Sequence, residues 1–244
     1  SRHESRELNG ICHFIEHAVF KGSARRTARD IAVESDRLGG HLDAYTTQEM
    51  TGFAIKFADQ AMPQAFDLLF DLVSQPRFDE EDLRREQKVI LEEMKMVEDT
   101  PEELLGELFN AVYFPDQPLG RPIEGTVATV TSFDHDKTLA FHAREFSRGN
   151  LVLAAAGNVA HAQVVELAAR AFLEPGFDHE TALSETNLPE SASPAAPILI
   201  EHKKELEQAH LIIAAPWPSA KSEDRYAASM LASKPSRRNC ATAA

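Results

Sequence analysis

An α+β chain is predicted, because two hydrophobic periods alternate along the sequence. Residues 60 to 73, and the stretch that begins at Glu80, place apolar side chains at helical spacing behind good helix starts. Phe53, Ile55 and Phe57 alternate with Ala54 and Lys56, the pattern of a strand with one buried face. Leu151 to Ala156 is an unbroken apolar run of the kind found in central strands. With 244 residues the chain can bury a substantial core, and 43% hydrophobic with 26% charged residues is ordinary for a soluble globular protein.

The first helix carries the chemistry. Within Asn9-Gly10-Ile11-Cys12-His13-Phe14-Ile15-Glu16-His17-Ala18-Val19-Phe20-Lys21-Gly22, helical geometry puts His17 about 40° round from His13 and Glu16 about 60° to His13's other side. Ile11, Phe14, Ile15, Ala18 and Val19 centre about 170° away, so the apolar face packs while the polar triplet points elsewhere. A single histidine there reads as solvated surface. Two at i and i+4 bring two neutral nitrogens to one Zn²⁺ without bending the backbone, and a neighbouring carboxylate that is not a ligand can accept a proton from water. The order histidine, two residues, glutamate, histidine is the inverted zincin signature.

Lys21-Gly22-Ser23 stops this helix, and Thr27 caps the next, through about Leu38. Gly39-Gly40 turns into a strand region over 42 to 57, whose first part, Asp43 to Thr47, is polar enough for a sheet edge. The helix over 60 to 73 has Pro63 in its first turn and lines Ala65, Leu68, Leu69 and Leu72 along one side. Asp79 is expected to cap a long helix with Glu80, Glu81 and Asp82 at its positive end. Its apolar stripe is Leu83, Ile90, Met94 and Val97, and Glu86 and Glu93 fall on that same stripe. Two carboxylates on a buried stripe need partners, and a metal supplies one.

Thr100-Pro101-Glu102-Glu103 reads as a capping box opening a helix to about Phe114; 115 to 133 reads as a loop; Asp134 caps a helix to Phe146. After the apolar run, 161 to 173 returns as a helix. Residues 174 to 196 have linker composition. Strands at 197 to 202 and 208 to 214 and a helix from Glu223 open another αβ unit, and Lys234 to Ala244 has no clear period. The division is therefore 1–173, linker 174–196, and a truncated second unit 197–244.

The net charge of -14 argues against a phosphate-neutralising nucleic-acid binder. Cys12 and Cys240 are too few for a disulfide framework and fit a reducing compartment; Cys12 reads as packing. No apolar run approaches a membrane span, and no signal peptide is visible. A leading strand and any targeting peptide are expected to lie before this sequence.

These blocks resemble the inverzincin metallopeptidases of the pitrilysin family, most of all its bacterial and mitochondrial processing-peptidase branch. The likeness rests on Gly10 to Gly22, Gly39-Gly40, Asp43-Ala44-Tyr45-Thr46-Thr47, Glu86 to Met96, Asp99-Thr100-Pro101, Leu119 to Ile123 and Ala156-Gly157-Asn158. It implies an α+β sandwich, a mostly antiparallel sheet packed with helices, normally duplicated around a chamber. It implies one Zn²⁺ held by His13, His17 and Glu93, with Glu16 as general base and Glu86 as a second acid of the catalytic set that supports the site without binding metal. Asp43, Ala44, Tyr45 and Thr46 resemble the edge strand that takes the substrate backbone by β-augmentation; asparagine is usual where Asp43 stands. The implied activity is zinc-dependent endopeptidase action on peptides or presequence-like segments. A homodimer or a heterodimer with a related subunit is implied, in a bacterial cytoplasm or a mitochondrial matrix. In the family an Arg and a Tyr come from the second domain, and Lys234-Pro235-Ser236-Arg237-Arg238 does not match them. The alternatives are a non-catalytic peptide-binding or scaffold subunit, an inactive fragment, and a zinc hydrolase with a different substrate, against which the edge strand argues.

Overall fold

The computed structural model describes residues 1–173, 194–201, 208–218, 222–224, 226 and 229, which fall into two compact units, 1–205 and 206–244. In the first unit the helices are α1 (Ile11–Val19), α2 (Ala28–Arg37), α3 (Met62–Ser74), α4 (Glu80–Asp99), α5 (Pro101–Tyr113), α6 (Val127–Val130), α7 (His135–Glu145) and α8 (His161–Ala171). The strands are β1 (His41–Thr46) and β2 (Thr51–Lys56). The chain is α+β, as expected.

Helix α1 is the hub. Its apolar face, Ile11, Phe14, Ile15, Ala18 and Val19, is buried against α4, α7 and the sheet, and each large side chain contributes about 1.5–3 kcal/mol. Phe14 meets Phe133 at 5.3 Å between ring centroids. On α4, Leu83 and Ile90 are buried, and Met94 packs half-buried against the same core. This packing turns the polar face of α1 towards the Glu86 and Glu93 side of α4.

The region 42 to 57 is a hairpin, not one strand. β1 and β2 pair antiparallel from His41↔Lys56 to Thr46↔Thr51. The alternation of Phe53 to Phe57 marks β2 alone. Thr47 makes the reversal: its Oγ1 accepts the N–H groups of Glu49 (3.2 Å) and Met50 (3.1 Å). At Gly40 a Cβ would lie 1.6 Å from the Lys56 carbonyl oxygen, so only glycine lets the hairpin close there. Among the described residues β1 pairs only with β2, which leaves β1 at an edge.

Several local expectations hold. Thr27 caps α2 in a reciprocal box with Asp30, Asp134 caps α7 through the Lys137 N–H, and Pro63 and Pro101 sit in first turns.

Others are corrected. Asp79 precedes α4 without capping it and faces Arg77 at 3.4 Å instead. The capping box at Thr100 does not form, because its hydroxyl donates back to the Met96 carbonyl (2.8 Å) and closes α4 rather than opening α5. The loop over 115 to 133 contains α6, capped by Thr126 with Thr129.

The largest correction is at 151 to 156, which forms no strand among the described residues and leaves Val152 95% exposed. An apolar run states that a segment tolerates burial on both faces; it does not supply the neighbouring strands. Likewise 197–201 and 208–214 carry no strand. Most of the linker (174–193), residues 202–207 and the tail from 230 lie outside the described residues, as does most of the helix expected from Glu223.

Candidate metal centre

The structure brings His13, His17 and Glu93 together: one ligand atom from each lies within 4.8 Å of the others, the single such group among the described residues. The imidazoles are 4.6 Å apart between centroids with planes at 64°. His17 Nε2 lies 3.5 Å from Glu93 Oε2. Ligand atoms about 2.0–2.1 Å from a tetrahedral zinc stand roughly 3.4 Å apart, so this pair already has that separation. His13 Nδ1 is buried with no hydrogen-bond partner, a defect that fits a site meant to hold something more than protein atoms. Two nitrogens and one carboxylate oxygen also suit zinc chemically.

Glu86, on the buried face of α4, lies 3.4 Å from His17 Nδ1 through Oε2 and 2.9 Å from Lys21 Nζ through Oε1. It therefore orients the ring from the side opposite Glu93. Burial opposes charge on Glu86, but His17 and Lys21 outweigh it and hold its pKa below the usual carboxylate value. For His17 burial again opposes charge, while Glu86, Glu93 and Glu16 together raise its pKa. For His13 burial dominates, with His17 adding to it, and the pKa falls to about 4, so the ring is neutral and its lone pair is free to bind.

Glu16 stands on the same face of α1. Its Oε2 accepts the Thr46 hydroxyl at 2.5 Å, and Thr46 Oγ1 is 3.4 Å from Thr51 Oγ1. Burial raises the Glu16 pKa above the usual value, although Thr46 and His17 pull the other way.

The edge-strand residues divide by pleat. Leu42, Ala44 and Thr46 are half-buried on the α1 side, while Asp43 and Tyr45 are exposed on the other. Asp43 Oδ1 accepts its neighbour's Ala44 N–H (2.9 Å), so that carboxylate is engaged locally. Sequence reasoning missed two roles. Lys21, four residues beyond His17, had the spacing to suggest it could reach Glu86; nothing in the order of residues linked Thr46 to Glu16.

Residues 1–127 match the family described as Insulinase (Peptidase family M16), and 132–233 match the Peptidase M16 inactive domain. An uncharacterized zinc protease of Mycobacterium leprae is 34% identical over 95% of this chain and 52% of its own length. One of Rickettsia felis is 41% identical over 70% of this chain and 42% of its own. A protein of Arabidopsis thaliana named "Probable mitochondrial-processing peptidase subunit beta, mitochondrial" is 39% identical over 74% of this chain and 34% of its own. The chain thus spans about half the length of the curated relatives it matches, or less. Among solved structures, a protease from Helicobacter pylori superposes with a TM-score of 0.70 at 22% identity, covering 75% of this chain and 44% of the other. Pitrilysin gives 0.62 at 21%, covering 70% and 19%; at these identities the likeness is one of fold. With its first 127 residues matched from end to end of the helix and hairpin that frame the site, the chain belongs to the insulinase family of peptidases, family M16.

Proposed function

We propose that this chain carries the metal-binding half of a zinc endopeptidase that hydrolyses peptide bonds in peptides or presequence-like segments, with one Zn²⁺ held by His13, His17 and Glu93. The observation that supports it is the approach of those three ligand atoms to within 4.8 Å, with Glu16 on the same helix face. When bound, zinc polarises a carbonyl and lowers the pKa of water to roughly 7. The remaining work falls to the chain. Thr46 occupies Oε2 of Glu16 and leaves the other carboxylate oxygen to accept a proton from the attacking water and return it to the leaving amine. Glu86 keeps the His17 ring aligned. An extended peptide adds to the open edge of β1, with residues 43 to 46 as its docking strand. In this reading residues 1–173 form the metallopeptidase domain, 174–196 the linker and 197–244 the start of a second unit, and the protein works with a like or a related subunit.

The test is Glu16→Gln assayed on a fluorogenic peptide. It keeps zinc and loses about 10²–10⁴-fold in turnover. Undiminished cleavage contradicts the assignment. A second reading, a non-catalytic peptide-binding subunit, draws on the match of residues 132–233 to a domain described as inactive. It is favoured if peptide binds equally well with and without zinc and is never cut.

A further inference from the structure

Helix α1 is only nine residues long, and its N-cap, Gly10, has no side chain to offer. The first N–H groups of a helix have no partner within it, and a helix this short is marginal alone, so its first turn depends on whatever caps it. Here the cap comes from outside. Glu4, 4% exposed, folds back so that Oε2 accepts the Gly10 N–H (2.8 Å) and the Asn9 side-chain amide (3.3 Å), while Oε1 accepts the Cys12 N–H (3.0 Å). A carboxylate at this end also opposes the positive pole of the helix. His13 is the very next residue.

The cap is itself anchored. Arg121 Nη2 donates to the Glu4 carbonyl (2.7 Å), and the Asn9 amide also donates to the Pro122 carbonyl (3.0 Å). The backbones touch beyond that: a Cβ on Gly10 would lie 2.4 Å from the Glu124 carbonyl oxygen, and one on Gly125 2.4 Å from that of Asn9. Both glycines have positive φ, +94° and +88°. The segment 121–125 thus grips the start of the helix that bears the histidines.

We infer that Glu4 is a positioning residue for the metal centre: by holding the Gly10 and Cys12 N–H groups against the 121–125 segment, it sets where His13 presents its ring. The inference rests on the metal-centre reading above. A merely structural role would lower stability and leave the bound ion undisturbed, so the comparison needs a second buried carboxylate. Asp71, whose side chain is fully buried, serves, since it ties Ser23, Arg25 and Arg26 to α3.

The experiment takes the 244-residue chain and measures Zn²⁺ affinity by chelator competition, the absorption bands of the Co²⁺-loaded form, and the melting temperature. Glu4→Gln, which puts an amide donor where the helix needs an acceptor, lowers Zn²⁺ affinity at least about tenfold and alters the Co²⁺ bands. Asp71→Asn melts earlier and keeps both. Glu4→Gln with wild-type affinity and spectrum, or Asp71→Asn losing as much, overturns the inference alone; a wild-type chain that binds neither ion overturns the metal-centre reading and the inference with it. If Glu4→Gln does not fold, Asn9→Ala loosens the same carboxylate: a loss of affinity in the same direction supports the inference, and unchanged affinity overturns it.

Discussion

Glu86 stands behind the ring of His17, its Oε2 3.4 Å from Nδ1, and is only 6% exposed. A carboxylate there fixes which imidazole nitrogen is left for a metal and makes it a better donor. Glu86→Gln is therefore expected to keep the fold and weaken Zn²⁺ binding about 10- to 100-fold, measured by competition with a chromogenic chelator. Unchanged affinity would reduce Glu86 to a partner for Lys21.

Thr46 ties the edge strand to Glu16 through one hydroxyl at 2.5 Å. Thr46→Val keeps the shape and removes the donor. Zinc content should not change, while turnover of a fluorogenic peptide falls about 10- to 100-fold, the worth of one hydrogen bond to a charged group. Thr46→Ser should restore most of it. Equal rates for Val and Ser would mean that the hydroxyl does not aim the base.

His142 is buried between Phe78 and Phe146, with Nε2 2.8 Å from the Val73 carbonyl oxygen. Burial lowers its pKa from 6.5 to about 4 against the contrary pull of that carbonyl. The folded-state value lies below the unfolded one, so His142 removes no stability above pH 6.5. As the pH falls from 6.5 towards 4 the unfolded chain takes up a proton that the folded chain refuses, and stability is lost. At pH 5 the loss is about 2 kcal/mol. Urea unfolding of wild type and His142→Gln at pH 7 and pH 5 should show a smaller acid-linked loss in the variant by about that amount; equal losses would place the acid sensitivity elsewhere.

Asp71 accepts from Ser23 Oγ (2.5 Å), Arg25 Nε (3.1 Å) and Arg26 Nη1 (2.7 Å), with its side chain fully buried. Removing the charge leaves two guanidinium groups short of a partner, and Asp71→Asn should cost about 3 kcal/mol in urea unfolding at pH 7. A loss below about 1 kcal/mol would mean that Asp67 and Glu34, the other carboxylates on Arg26, compensate.

Much of the candidate site is legible because helix geometry turns spacing into direction. His13, Glu16 and His17 share a face by arithmetic, and Glu86 and Glu93 betray themselves as carboxylates on an apolar stripe. What stayed hidden depends on contacts between segments far apart in order. Glu4 caps a helix that starts several residues later, and Thr46 reaches Glu16 from a different element. The hairpin reads as one strand in the sequence because Thr47 to Met50 holds no Gly or Pro, and its reversal is made by a threonine hydroxyl instead. The run at 151 to 156 suggests a strand on hydrophobicity alone, which names a preference for burial and no partner.

Helices α1 and α4 together are proposed to hold one divalent ion. Zinc per chain after exhaustive dialysis tests this most directly, in wild type, Glu93→Ala and Glu92→Ala; the exposed Glu92 pairs only with Lys95 among the described contacts. One zinc is expected in wild type and in Glu92→Ala, with most of it lost from Glu93→Ala. A wild-type chain without zinc, or a Glu93→Ala chain that keeps it as tightly as wild type, would contradict the proposal.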